Sequence, residues 1–241
     1  MIATWLIVLL TMVCMVTFTF EIIFGLAGTI LMLMVMTFFI DAKTLVIYSV
    51  LPQIMTASIG LLRSPKTVDL RFLAGMLGFA VIGSVFGLSL FYYFETKVFQ
   101  YLLATAITLF GLYLVISPHV IHFGTITQRV LDFFGGLSQA LFGISGPIAM
   151  TRLIGSFQDK LVIRNYALAF FLSLNIFRAG GYIVNDTFTD DILRMIVISA
   201  PFLFVTLWFS NRLHHKVNER QFRRVVSWII FLGGISLFFS G

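Results

Sequence analysis

Two short glycine-containing segments hold the residues of this sequence that best suit ligand binding. Gly25-Leu-Ala-Gly28 and Gly143-Ile-Ser-Gly-Pro147 both interrupt apolar sequence. Glycine permits non-helical backbone, and a proline lacks the N–H and suits the first turn of a new helix. A helix that restarts at each segment would present free N–H groups and a partial positive charge, which together bind anions. Close packing of helices through small residues is the alternative interpretation.

Polar side chains near these segments are the second group of candidates, because a charged or polar group within apolar sequence needs a partner or a function. Glu21 precedes the first segment, where a carboxylate could carry a coupling proton or simply be solvated at a surface. Arg178 could neutralise an anionic substrate through paired donors or extend to an interface. Gln53 is a further uncharged donor that suits either a cavity or a contact between helices. The predicted substrate-binding residues are Gly25, Gly28, Gln139, Gly143, Ser145, Gly146, Pro147, Asn175 and Arg178, and the proton-coupling candidate is Glu21.

Residues for enzymatic or metal chemistry are poorly placed. All four histidines fall in predicted loops, without the nearby carboxylate and cysteine ligands that a catalytic zinc needs. Cys14 is the one cysteine and lies in an apolar run, so it is expected to be a buried hydrophobe. No Ser-His-Asp set can be assembled among the apolar runs, and no nucleotide-binding loop is present. We therefore predict no enzyme activity, no metal and no cofactor.

Composition defines the environment of these residues. Hydrophobic residues make up 59% of the 241 positions and charged residues 11%, and the mean hydropathy is +1.03. A soluble domain is about one-quarter charged and could not hide so much apolar surface. The net charge of +6 comes from basic residues in short loops, where they act as topology signals. We predict a lipid bilayer as the surroundings and no nucleic-acid partner.

Nine apolar runs are candidate membrane segments, since a bilayer core of about 30 Å needs about 20 helical residues. They are Ile2–Phe20, Ile22–Ile40, Thr44–Leu62, Phe72–Phe94, Val98–Ile116, Phe133–Thr151, Leu161–Phe177, Ile192–Phe209 and Val225–Phe239, with a polar patch at His119–Asp132. The first run lacks a basic n-region and a small-residue cleavage site, so we expect it to be part of the mature protein. These runs predict an all-α polytopic membrane protein.

A nine-residue block is repeated in the two halves of the chain. Phe24–Met32 recurs as Phe142–Met150, with five identities at an offset of 118 positions (142 − 24). The same register pairs Asp41 with Asp159. Repetition at a fixed register indicates a duplicated fold.

The end of each half repeats in a slightly different register. Gly111 pairs with Gly234 at an offset of 123, so about five residues are inserted between the two matches. We predict two related membrane repeats, residues 1–118 and residues 119–241.

Loop charges predict that the two repeats are inverted. Residues 63–71 are basic and are expected on the cytoplasmic side, whereas their counterpart, residues 186–191, is acidic. Residues 212–224 are strongly basic, whereas their counterpart, residues 95–97, is not. Opposite bias in equivalent loops is expected of an inverted-topology repeat. Each half would then have a broken or re-entrant helix pair and three transmembrane helices, giving eight or more segments with both termini outside.

The motifs together resemble the sulfite exporter TauE/SafE family. The resemblance rests on Gly143–Pro147 with the acidic loop residue and polar helix after it, on the glycine-rich helix of residues 71–87, and on the Gly-Leu-Tyr-Leu run at Gly111. It extends over about residues 5–240. The first break reads Gly-Leu-Ala-Gly-Thr and is poorer in glycine than the Gly-x-Gly-Gly that is usual in the family.

The resemblance implies a multi-pass permease for sulfite, sulfoacetate or a related sulfur-containing or organic anion. We therefore expect a secondary transporter in the cell inner membrane that exports a small anionic substrate by alternating access, with the substrate near the membrane midplane. A homodimer is one assembly that the sequence allows. A permease for another small anion or organic acid, and a non-transporting scaffold or biogenesis protein, are the alternatives.

Overall fold

The structure is a computed structural model that describes residues 2–24, 27–62, 68–116, 123–210 and 219–238. Gly25, the four histidines and most of the two basic loops therefore lie outside the described residues.

Helices account for the regular structure in the described part of the chain, where no strand occurs. They are α1 (Thr4–Phe24), α2 (Gly28–Met36), α3 (Ala42–Tyr48), α4 (Val50–Leu62), α5 (Leu70–Tyr93), α6 (Thr96–Ile116), α7 (Thr125–Phe142), α8 (Gly146–Ile154), α9 (Lys160–Val184), α10 (Asp190–Ser210) and α11 (Glu219–Leu237).

Six stretches of these helices are long and apolar enough to cross a membrane. They are Thr4–Ile22, Ala42–Leu62, Leu70–Tyr93, Thr96–Ile116, Lys160–Val184 and Asp190–Ser210. The prediction of an all-α multi-pass membrane protein is confirmed.

Several predicted runs divide or extend in the structure. Ile22–Ile40 contains the end of α1 and the start of α2, and Thr44–Leu62 contains both α3 and α4. The division between α3 and α4 has a local cause, because Pro52 has no N–H to donate to the carbonyl of Tyr48. Helix α9 continues to Val184, beyond the predicted end at Phe177.

The polar patch at His119–Asp132 lies outside the predicted membrane runs, yet it is helical from Thr125 onward. Helix α7 begins at Thr125 and includes Asp132, which is buried. The helix is amphipathic, so its polar face lowers the hydropathy of the patch without preventing helix formation.

Equivalent elements begin at the registers that the repeat predicts. Helices α2 and α8 start at Gly28 and Gly146 and have nine residues each. Helices α3 and α9 follow Asp41 and Asp159, and each aspartate accepts hydrogen bonds from backbone N–H groups of its helix. The same capping chemistry thus recurs at the offset of 118.

The described helices group into two compact units, and each contains segments of both sequence halves. Unit 1 comprises residues 1–52, 94–118 and 188–241, and unit 2 comprises residues 53–93 and 119–187. Unit 1 therefore contains α1, α2, α3, α6, α10 and α11, and unit 2 contains α5, α7, α8 and α9 with most of α4.

Small residues let the main helix pair of each unit approach closely. In unit 2, α5 packs on α7, and a Cβ added to Gly83 would collide with the backbone of Phe133. In unit 1, α6 packs on α11, and a Cβ added to Gly111 would collide with the backbone of Phe231. Such contacts are typical of helix packing in membranes, where lipid supplies no hydrophobic drive between helices.

Candidate functional site

The second helix break, residues 143–145, lies in unit 2 between α7 and α8. Gly143 ends α7 with a φ of 72°, a left-handed conformation that glycine adopts without steric cost. Helix α8 restarts at Gly146, and Pro147 lies in its first turn. The predicted interruption of the helix at Gly143–Pro147 is therefore confirmed.

Gln139, in the last turn of α7, is the centre of a hydrogen-bond network at this break. Its amide Nε2 donates to Gln53 Oε1 at 2.6 Å and to Asn175 Oδ1 at 3.1 Å. Its Oε1 accepts a hydrogen bond from the Ser145 hydroxyl at 2.6 Å. One side chain thus joins α4, α7, α9 and the break itself.

Two further hydrogen bonds fix the backbone around the break. Gln53 Nε2 donates to the carbonyl of Gly143 at 2.7 Å. Arg178 Nη1 donates to the carbonyl of Gln139 at 2.9 Å. Both carbonyls belong to the C-terminal end of α7, where a cation is favourable. The Gln139 carbonyl also accepts a hydrogen bond from the N–H of Gly143 at 2.9 Å.

Burial makes this network chemically distinct from a solvated surface. Gln139 is 2% exposed, and Asn175 and Arg178 are both 0% exposed. Arg178 lies well inside α9, with its guanidinium 5.6 Å from the ring centroid of Tyr182. The side chain is therefore enclosed by the protein, whereas one of its two predicted roles, extension to an interface, needs an exposed guanidinium. The structure brings Gln139, Ser145, Asn175 and Arg178 together at the second break, as a shared site requires.

Among the described residues, no side chain caps the N-terminus of α8. Ser145 occupies the N-cap position, yet its hydroxyl bonds to Gln139 and does not cap the helix. Thr56, three residues after Gln53 on α4, is fully buried, and its hydroxyl has no hydrogen-bond partner among the described residues. The break therefore combines a helix N-terminus and a buried guanidinium, both of which favour an anion.

The first helix break lies in unit 1, where α1 ends at Phe24 and α2 begins at Gly28 with Ala27 as its N-cap, so the predicted interruption is likewise confirmed. Residues 25 and 26 lie outside the described part of the chain. Ala27 has a φ of 80°, which strains a residue with a Cβ. Glu21, on α1, is 7% exposed, so it is not the solvated surface residue that was one of its two predicted states.

The Glu21 carboxylate caps α2. Its Oε2 accepts hydrogen bonds from the backbone N–H of Thr29 at 3.0 Å and from the Thr29 hydroxyl at 3.3 Å. Gly28 makes room for this, because an added Cβ would lie 2.6 Å from the same oxygen. A carboxylate at a helix N-terminus satisfies free N–H groups and complements the helix dipole.

A buried ion pair that the sequence reasoning missed joins α7 to α8. Arg152 Nε lies 3.4 Å from Asp132 Oδ1, and both side chains are less than a tenth exposed. The guanidinium also lies 5.1 Å from the ring centroid of Phe72 and donates to the hydroxyl of Ser156. The sequence signal for this ion pair was weak. Asp132 ends a polar patch and Arg152 follows an apolar run, so the sequence pattern did not indicate that either side chain is buried.

Metal chemistry finds no support in the described residues, where no group of three or more potential ligands occurs. Cys14 is buried, as expected of a small hydrophobe.

Comparison with known proteins assigns the family. The model of a family described as sulfite exporter TauE/SafE matches residues 10–237, which is nearly the whole chain. No curated protein and no solved structure matches it. Together with the six long apolar helices, the match identifies a multi-pass membrane protein. The chain belongs to the sulfite exporter TauE/SafE family.

Proposed function

We propose that this protein is a secondary transporter that exports sulfite, sulfoacetate or a related small sulfur-containing or organic anion across the cytoplasmic membrane by alternating access. The observation that carries the proposal is the second break in unit 2. There the fully buried Arg178 lies in one hydrogen-bond network with Gln139 and Ser145, at a helix N-terminus without a side-chain cap. A non-transporting scaffold would not need this chemistry in the interior of a membrane protein.

Each group at the second break has a role in this proposal. The guanidinium of Arg178 neutralises the anion, and its planar donors suit a trigonal or tetrahedral oxyanion. The first N–H groups of α8 donate to the remaining oxygens. The Ser145 hydroxyl, whose one proton goes to Gln139, holds the break in place beside them. Gln139 orients Ser145 through the 2.6 Å hydrogen bond between them, and Asn175 holds Gln139 in turn. Gly146 and Pro147 allow the approach, since neither presents a bulky side chain at the helix start.

We also propose the inverted-repeat architecture on which alternating access rests, and the packing of α6 on α11 in unit 1 supports it. Gly111 lies against the backbone of Phe231, and Gly234 lies against the backbone of Thr108. At the offset of 123, Phe231 is the counterpart of Thr108, and Gly234 is the counterpart of Gly111. The same contact is thus made twice with the partners exchanged, as a twofold axis between the helices requires.

The order of these contacts gives the direction of the axis. Thr108 lies against Gly234, and Gly111, three residues later in α6, lies against Phe231, three residues earlier in α11. The two helices therefore run antiparallel. A twofold axis between antiparallel helices is perpendicular to them. For helices that span a membrane, such an axis lies in the membrane plane, as it does in inverted-topology repeats.

Transport measured with purified protein in vesicles tests the proposal. We expect Arg178→Gln to reduce sulfite flux by about 10- to 100-fold, because a hydrogen bond to a charged group contributes about 1.5–3 kcal/mol. Arg178→Lys retains the charge without the planar fork and should have intermediate flux. Arg129→Gln, which removes an exposed arginine of the same unit, is the matched control and should transport normally.

The same vesicles separate the alternatives. Flux of sulfoacetate, thiosulfate, sulfate or a small carboxylate, without sulfite flux, would assign the site to another anion. The transporter proposal would be abandoned if no anion in this panel moved while the protein remained folded in the vesicles.

A further inference from the structure

We propose that the N-terminus of α2, in unit 1, is a second anion site whose resident ligand is the chain's own Glu21 carboxylate, and that removing this carboxylate lets the site bind a small exogenous carboxylate such as formate. The inference does not depend on which anion the second break binds.

The geometry at Glu21 is that of a bound anion. Its Oε2 accepts hydrogen bonds from both the backbone N–H and the hydroxyl of Thr29. A free oxyanion at a helix N-terminus would use the same kinds of donor. Helix α2 is nine residues long, so its dipole extends over more than two turns. Glu21 comes from the preceding helix α1, which packs on α2, so the ligand and the site belong to separate elements.

A second donor near the carboxylate is unused. Thr17 lies one turn before Glu21 on the same face of α1, and it is 6% exposed. Its hydroxyl has no hydrogen-bond partner among the described residues. Its carbonyl lies 2.7 Å from the position of a Cβ added to Gly28, so Thr17 adjoins the start of α2. A buried hydroxyl without a partner is unfavourable, and a small anion in place of the carboxylate could accept its hydrogen bond.

The corresponding position in unit 2 explains why only one break would be filled by the protein itself. Gln139 lies at the offset of 118 from Glu21, and an uncharged amide cannot act as the anion. Its side chain bonds to Ser145, and the N-terminus of α8 has no side-chain cap. The two breaks therefore differ: the chain's own carboxylate caps the helix at the first, and no described side chain caps the helix at the second.

Chemical rescue tests the inference. Glu21→Ala should lower the thermal unfolding midpoint of the detergent-purified protein, and sodium formate should raise it again in a saturable manner by about 2–4 °C. Wild type and Glu21→Gln should not respond, because a side chain still fills the site. Glu95→Ala, which removes an exposed carboxylate of the same unit, is the matched control and should not respond either.

A double variant shows at which break formate binds. The formate response of Glu21→Ala should survive Arg178→Gln, which disables the second break. If Arg178→Gln abolished the response, formate would be binding in unit 2, and the inference would be overturned while the proposed transport site gained support. An equal response of wild type would also overturn it. Conversely, if formate rescues Glu21→Ala while the wild type transports no anion, the inference about this site is supported and the proposed transport function is not.

A second measurement applies if Glu21→Ala does not fold in the absence of formate. If Glu21→Ala is recovered folded only when formate is present during purification, the inference is supported. If formate restores neither Glu21→Ala nor the smaller change Glu21→Ser, the site does not exist.

Discussion

Glu21 and Gln139 lie in the last turns of α1 and α7, and each side chain bonds to the first turn or the N-cap of the next helix. Glu21 bonds to Thr29 and Gln139 bonds to Ser145, and both side chains are buried. The difference between an acid and an amide decides what each break can do. A carboxylate can carry a proton or act as a ligand, whereas an amide can only donate and accept hydrogen bonds.

Proton coupling belongs to this residue scale, and we predict that it depends on Glu21. Glu21→Gln retains the shape and hydrogen-bonding capacity of the side chain but cannot carry a proton. We expect the variant to bind substrate and to lose the dependence of its flux on an imposed pH gradient, measured in vesicles. Gradient dependence equal to that of wild type would remove Glu21 from the coupling mechanism.

Gly143 gives a second prediction at the residue scale. Its φ of 72° is disfavoured for any residue with a Cβ, so Gly143→Ala should destabilise the protein by about 1–2 kcal/mol. Gly180→Ala is the matched control, because Gly180 lies inside α9, four residues before its end at Val184, and an added Cβ meets nothing within 4 Å. There alanine should be neutral or stabilising by up to about 1 kcal/mol. Thermal unfolding in detergent measures both, and equal midpoints for the two variants would contradict this account of the break.

Helices α7 and α8 are joined at the break and also by the buried pair of Asp132 and Arg152, which acts at the scale of elements. The pair holds α8 against α7 along the length of α8 beyond the break. The positions that correspond to it at the offset of 118 in the first half are Cys14 and Met34. The α1–α2 pair therefore has no ion pair at the equivalent place.

Removing one charge of this pair should destabilise the folded protein strongly. Asp132→Asn leaves Arg152 buried without its counterion, and we expect a loss of about 3–5 kcal/mol in the free energy of unfolding. The double variant Asp132→Leu with Arg152→Met removes both charges and should recover most of the loss. Chemical denaturation of the three proteins checks this, and a double variant no better than Asp132→Asn would show that the charges do not act as a pair.

The inverted repeat is a statement about the whole molecule, and it predicts opposite sides for equivalent loops. We expect Asp186→Cys, in a Cys14→Ser background, to react with a membrane-impermeant maleimide in intact cells. Lys66→Cys, in the counterpart loop, should react only after the membrane is permeabilised. Reaction of both from the same side would exclude the inverted arrangement and leave the α6–α11 contact as packing alone.

The sequence predicted more of the fold than of the candidate site. The all-α membrane class follows from composition, since a chain this apolar can be stable only in lipid, where helices satisfy every backbone group. Both helix breaks were located from Gly25–Gly28 and Gly143–Pro147, because glycine and proline act on their own backbone. The burial of Asp132 and Arg152 was missed, because a charge beside an apolar run looks the same whether a partner or water satisfies it.

Local chemistry and tertiary contact therefore account for different parts of this protein. The sequence by itself determined the membrane class, the family resemblance, the positions of the breaks and the register of the two halves, since each depends on residue type and spacing along the chain. Only the tertiary structure decided that Gln53, Gln139, Ser145, Asn175 and Arg178 share one network, and that Glu21 occupies the N-terminus of α2. Those contacts join residues on different elements, and hydrogen bonds between elements depend on packing that no local pattern encodes.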